Sequence, residues 1–383
     1  MENEDSENIG KDVIYGSQYE KDDDSAVYFI SIAVTLLISF LLISVSFLYL
    51  WPSIEEISSQ GPSGALIIWE DEYREITGIN NVDHLDGSGI TLCIVDSGID
   101  MNHPGLEGLE LEKWNDFVNQ IEDPYDDEGH GTAMAGIIVA KNGLNGNAQG
   151  VTLLVAKAID KDGTGTDQII SQSVDWCAEN GAHIISLSLG GEQGFGAGIF
   201  TTDALERSVE NALDLGIFIV AAAGNDGEND DGDVESPGSV GDVICVGGIT
   251  RDGDIWKGSS IGDNDGRFFP NPIFPRSNPD KKPEIVAPSQ EVPILMASGV
   301  GNNNWWGWSS GTSAATAWVS GSLSLLLEEY PELQRQNNDG RESIEEVKNL
   351  LSQTSQMKDN QTEHDDYYGY GIMRIDLMIN SKK

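Results

Sequence analysis

Three glycine-flanked motifs, IVDSGID (94–100), GHGTAMAG (129–136) and GTSAATA (311–317), present an acid, a base and a hydroxyl in that order. Asp96, His130 and Ser313 together have the groups for acyl transfer. In that chemistry a serine hydroxyl passes its proton to an imidazole, and a buried carboxylate holds the imidazole in the required tautomer. His130, one of five histidines, stands between two glycines, where backbone passes a substrate with no side chain in the way. Ser313 opens an apolar helical run, so the helix dipole and its own N–H favour negative charge developing beside it. Asn225, in IVAAAGNDG (219–227), offers a side-chain amide as a second donor to such an oxyanion. Singly, each residue has an ordinary reading as a turn aspartate, an N-cap serine or an Asn-Asp-Gly turn. His183 reads as a core residue of an apolar run, and His84, His103 and His364 as loop or turn residues without a role.

Positioning these groups requires a rigid frame. The runs GITLCIVD (89–96), VTLLVAKA (151–158), AHIISLSL (182–189), GIFIVAAA (216–223) and DVICVGG (242–248) are continuously apolar, as in strands buried on both faces. Between them, 166–180 starts with a capping threonine and 203–215 spaces its apolar residues at helical intervals. The pattern predicts an α/β fold, a doubly wound and mostly parallel sheet flanked by helices, with the site at the carboxyl ends of the strands.

The 383 residues include 64 acids against 21 Lys and Arg, a formal charge of −43. Such a surface repels phosphate backbones, so nucleic acid is excluded as a partner. It suits high ionic strength, where screening removes self-repulsion, and equally an ordinary acidic secreted domain. The three cysteines are odd in number and widely spaced, which argues against a disulfide framework or a zinc site. Cys93 and Cys245 lie in apolar runs and read as buried free thiols.

No position in 26–50 is charged. A helix of that length spans about 37 Å, enough for a hydrocarbon core of roughly 30 Å. The run is too long, and too far behind an acidic leader, for a cleaved signal peptide. The sequence therefore divides into an acidic disordered tail (1–25), a transmembrane helix (26–50), a linker (51–64) and a catalytic domain (65–383). Lys11 and Lys21 before the span place the amino terminus in the cytoplasm and the domain outside.

The four motifs, in the order Asp, His, Asn, Ser, resemble the subtilisin-like serine proteases. DFVNQIEDPYDDEGHGT (116–132), SPGSVGDVICVGG (236–248), PEIVAP (283–288) and YGYGIMRID (368–376) look like further landmarks of that family. The resemblance covers roughly 65–379. It implies a serine endopeptidase acting on polypeptides through an acyl-enzyme, without a required cofactor. It further implies that Gly163, Thr164 and Gly165 on one side, and Ser188, Leu189 and Gly190 on the other, clamp an extended peptide by β-augmentation. Ala222, Ala223 and Gly224 would line the primary side-chain pocket.

The chain departs from the family pattern in places. Ala133 stands where the motif usually has histidine, and Ala317 where a proline usually follows the serine. Gly105 replaces an aspartate often used for calcium. Asn142, Asn145 and Asn147 leave a loop that reads as an asparagine turn before a calcium site. The stretch after the apolar run is too short for the family's usual inhibitory propeptide. Two other classes compete: a catalytically silent peptide-binding or surface interaction protein, against which the intact residue set argues, and an esterase or lipase, for which the sequence lacks a GxSxG elbow.

Overall fold

The computed structural model describes residues 24–58, 61–189, 204–227, 233–266, 274–300, 304–335 and 340–382. The chain forms two units, Met1–Gln60 and Gly61–Lys383. In the first, helix α1 (Asp24–Ser58) contains the apolar stretch Ala26–Tyr49, whose mean hydropathy is 2.6 and whose side chains are exposed. By length and composition it suits a membrane span or a signal sequence. The helix continues to Ser58, so the segment read as a linker from 51 begins helically. Residues 1–23 of the acidic tail lie outside the described residues.

The second unit is built on a seven-stranded parallel sheet. Its strands are β1 (Thr91–Asp96), β2 (Leu111–Asp116), β3 (Thr152–Lys157), β4 (Ile184–Leu187), β5 (Phe218–Ala222), β6 (Ile244–Ile249) and β7 (Ile285–Pro288). The spatial order is β2-β3-β1-β4-β5-β6-β7, and a separate antiparallel pair joins β8 (Val292–Leu295) to β9 (Trp306–Ser309). The helices are α2 (Gly64–Ile76), α3 (His130–Val139), α4 (Asp167–Glu179), α5 (Ala204–Asp214), α6 (Thr312–Glu329), α7 (Glu342–Thr354) and α8 (Ile375–Ser381).

All five apolar runs became strands of this sheet, as their two-faced burial requires. Strand β2, LEKWND, lacked the signal because it forms one edge, is rich in charge and buries only its last residue, Asp116. From β1 the chain runs to the β2 edge, returns through β3 beside β1, then crosses to β4 and winds outward to β7. The sheet therefore reverses direction at β1, the topological switch point, where ligands of such sheets bind beyond the carboxyl ends. Helix α6 is buried for most of its length against β4 to β7 and α3, and some of its core hydroxyls bond back to its own carbonyls. Ser322 donates to Trp318 O (2.8 Å) and Ser324 to Ser320 O (3.1 Å).

One expectation is overturned. Cys93 on β1 and Cys177 on α4 form a disulfide with Cα atoms 5.9 Å apart, and only Cys245 is a buried free thiol. A separation of 84 residues gives no local cue. The pairing exists because α4 packs back across β1 after the crossover through β3.

Candidate active site

Asp96 closes β1 and is fully buried. Its backbone is pinned to the next strand, since its C=O accepts from Ala158 N (2.8 Å) and Ile159 N (3.2 Å). Helix α3 begins at His130 after Gly129, whose φ of 102° is a turn that glycine makes without strain. The helix start lies directly on the loop after β1: a Cβ at Gly131 would sit 2.2 Å from Gly98 O. That approach brings His130 Nδ1 to 2.8 and 2.9 Å from the two oxygens of Asp96. Nδ1–H donates to the carboxylate, which leaves Nε2 as the basic nitrogen.

A polar frame fixes this pair. Asp126 Oδ1 accepts from Ser97 Oγ (2.9 Å) and Gly129 N (2.8 Å), and its Oδ2 from Thr132 N (2.9 Å). Ser97 Oγ in turn accepts from Gly131 N (2.8 Å), so the loop after β1 and the first turn of α3 share one network. Beneath it the buried ammonium of Lys157 bonds Asp127 (2.7 Å) and the carbonyls of Ser97 (2.5 Å) and Ile159 (2.9 Å). Glu128 Oε2 accepts from His130 N (2.8 Å). Burial pulls the His130 imidazole toward its neutral form, but the Asp96 carboxylate, with Glu128 and Asp126 behind it, outweighs this and raises its pKa to about 9.

On the other side of the switch point, α6 starts at Thr312. Thr312 N donates to Asn225 Oδ1 (2.9 Å) and Thr312 Oγ1 accepts from Gly224 N (3.2 Å), which ties the loop after β5 to the helix. Asn225 thereby commits its carbonyl oxygen and keeps Nδ2 as a donor. Ser313 Oγ donates to Ser188 O (3.1 Å), and Ser188 Oγ donates to Ser313 O (3.1 Å). Among the described residues no hydrogen bond joins Ser313 Oγ to His130.

Asp96, His130, Asn225 and Ser313 nevertheless line one cavity of about 450 Å³. Gly163, Thr164 and Gly165 line it on one side, and Ser188 and Leu189 on the other. Gly190 lies outside the described residues. Ala222, Ala223 and Gly224 are buried and do not line the cavity, and Ala223 packs with Val234 and Cys245 instead. Ser236 and Pro237 also line the cavity.

Sequence reasoning missed Asp126, Glu128 and Thr312. Asp126 carried a weak signal, an acid three residues ahead of the glycine that caps α3. The role of Thr312 depends on a chain segment far away in sequence and had none. His103, left without a role, is buried edge-on to Trp305 and Trp306, and its Nδ1 accepts from Gly105 N (2.9 Å). Ala317 and Trp318 are packing residues, the indole donating to Thr77 Oγ1 (3.2 Å).

The asparagine loop does not fit calcium. Arg74 Nη1 donates to Asn145 O (3.2 Å) and Asn147 Oδ1 (3.4 Å), so a guanidinium already holds these oxygens. Asn142 and Asn145 turn their amides to Pro104 O (3.4 Å) and to the Glu70 carboxylate (3.3 Å). Among the described residues no group of three or more His, Cys, Asp or Glu side chains is placed to hold a metal ion.

Comparison with known proteins identifies the family and the fold. Residues 87–371 match the model of the Subtilase family. The chain is 32% identical over 325 residues to serine protease AprX of Bacillus subtilis (strain 168), covering 79% of this chain and 68% of that protein. It is 31% identical to the thermophilic serine proteinase of Bacillus sp. (strain AK1), covering 70% of this chain and 58% of the relative. Among solved structures, a cold adapted subtilisin-like serine proteinase aligns with a TM-score of 0.56 at 25% identity, over 75% of this chain and 90% of the other. The prenylagaramide maturation protease PagA shares the fold, with a TM-score of 0.61 over 80% and 99% of the two chains at 23% identity.

Proposed function

Because the chain belongs to the Subtilase family, we propose that it is a serine endopeptidase whose Ser313 attacks peptide bonds with His130 as base and Asp96 as its orienting carboxylate. The observation that carries the reading is the Asp96–His130 contact of 2.8 Å at the rim of the cavity that Ser313 and Asn225 also line.

In this reading the substrate completes the catalytic set. A peptide laid beside Ser188 and Leu189 as an added strand donates an N–H to Ser188 O, the acceptor that now holds Ser313 Oγ. Rotation about the Ser313 Cα–Cβ bond then carries the released hydroxyl to His130 Nε2. Attack on the carbonyl forms the Oγ–C bond, moves the hydroxyl proton to Nε2 and places charge on the carbonyl oxygen. Asn225 Nδ2 and the Ser313 N–H at the start of α6 stabilise that oxygen. The imidazolium returns its proton to the leaving amine, and water, deprotonated by the same Nε2, releases the acyl group. Asp96 keeps its charge throughout. Nothing in the scheme requires a cofactor.

Residues 65–383 would form the peptidase domain and 26–50 its membrane anchor. The first reading is tested by a fluorophosphonate probe, which should label the intact chain but not Ser313→Ala. A folded wild-type protein that neither reacts nor digests casein across pH and salt would instead be a silent peptide-binding member.

A further inference from the structure

We propose that Lys157 is a positioning residue of the active site: its buried ammonium ties together the three loops that carry the acid, the base and one substrate edge, and its charge opposes protonation of the base. This deepens the endopeptidase reading and rests on it. Lys157 ends β3 in register with Asp96 at the end of β1, and its side chain is fully buried. An ammonium is costly to bury, and an apolar side chain of similar length would serve the core as well. Here all three N–H donors find an acceptor, in Ser97 O (2.5 Å), Asp127 Oδ1 (2.7 Å) and Ile159 O (2.9 Å). The face of Tyr125 covers the same ammonium, with the ring centre 4.9 Å away.

Each acceptor belongs to a different part of the site. Ser97 directly follows Asp96, and Asp127 lies on the loop that leads into His130 at the start of α3. Ile159 lines the cavity and leads to the Gly163–Gly165 edge. Short backbone ties carry the constraint onward: Ile99 N donates to Tyr125 O (3.2 Å), Ile159 N to Asp96 O (3.2 Å) and Asp160 N to Thr164 O (2.9 Å). One tetrahedral donor group thus sets the spacing of segments that come from three separate strand ends.

The ammonium also sits among the charges that act on the base. Asp96, Glu128 and Asp126 all favour the charged form of His130. Of the other groups nearby, Lys161 is exposed and paired with Asp162 (2.8 Å), and Asp116 accepts from Val118 N (2.8 Å) and Tyr125 Oη (2.9 Å). Lys157 and Asp127 nearly cancel as seen from His130. Loss of either partner leaves the other's charge acting on the imidazole, with opposite sign.

The test uses the full chain in detergent with a quenched-fluorescent peptide that the wild type cleaves. Lys157→Met removes tether and charge together. It should lower kcat by roughly tenfold or more with KM within about twofold, because misplaced groups cost turnover rather than binding. It should also move the activity limb to higher pH by about half a unit at low salt. Asp127→Asn keeps an oxygen for the ammonium and removes the partly exposed charge, so kcat should hold while the limb moves to lower pH. The double variant should restore the limb and not kcat. Opposite limb shifts are a signature that general damage to the fold does not produce. If Lys157→Met does not fold, Asp127→Asn decides alone, and an unmoved limb overturns the proposal. Wild-type kcat in folded Lys157→Met, or limbs that move the same way in both single variants, would also overturn it while leaving the endopeptidase reading intact. Failure of the wild type to cut any peptide would overturn that reading, and this role with it.

Discussion

The histidine at the centre of the site carries its own pH dependence. Its folded-state pKa of about 9 is held above the ordinary 6.5 by Asp96 against the cost of burial, with a further upward pull from Glu128. A raised histidine stabilises the fold fully below 6.5, and that contribution is lost as pH rises through about 9. A general base must be neutral, so activity should move the other way. kcat/KM should climb over the interval from 6.5 to about 9 while thermal stability declines, and Glu128→Gln should shift the activity limb toward lower pH. A pH–rate profile beside calorimetry on Ser313→Ala would check both slopes, and an activity limb at the ordinary histidine value would contradict the assignment. The residues proposed to carry the reaction were legible in the sequence because glycines flank them: Asp96 before Ser97-Gly98, His130 between Gly129 and Gly131, and Ser313 after Gly311. The residues that position them were not. Asp126 acts through backbone donors of a helix start, and Thr312 through a loop that only the fold brings near.

At the level of elements, the geometry of the pair depends on how closely α3 can approach β1. Gly131→Ala would force a methyl group against Gly98 O, to which its Cβ would lie at 2.2 Å, and backbone on both sides leaves no rotamer to relieve it. The substitution should destabilise the unit by about 1–3 kcal/mol, as overpacking does. It should also lower kcat far more than KM, because the displaced helix carries His130 off Asp96. Steady-state kinetics beside a melting curve would separate these effects, and unaltered kcat in a folded variant would show that the approach does not set the pair. Buried parallel strands announce themselves through unbroken apolar runs, which is why β1, β3, β4, β5 and β6 were readable. Strand β2 is the charged, largely unburied strand of an edge, and the continuation of α1 to Ser58 runs through Pro52, a residue that normally marks a break.

For the molecule as a whole, the question is on which side of a membrane the catalytic unit works. The apolar stretch of α1 and the lysines ahead of it favour an anchored unit on the outer side. Protease added to intact cells should then digest the region after Trp51, and full protection of that region would reverse the orientation. The joining of β1 to α4 through Cys93 and Cys177 bears on the same question by another route. Cytosolic thiol buffers keep such a pair reduced, whereas the periplasm or the cell exterior lets it persist. Closing a loop of 84 residues removes denatured-state freedom equivalent to about 4.5 kcal/mol in the chain-entropy model, a large share of a typical folding free energy. Copies retained among reductants would lack that staple beside Asp96 and would be the more easily unfolded, so export itself would favour the durable form of the enzyme.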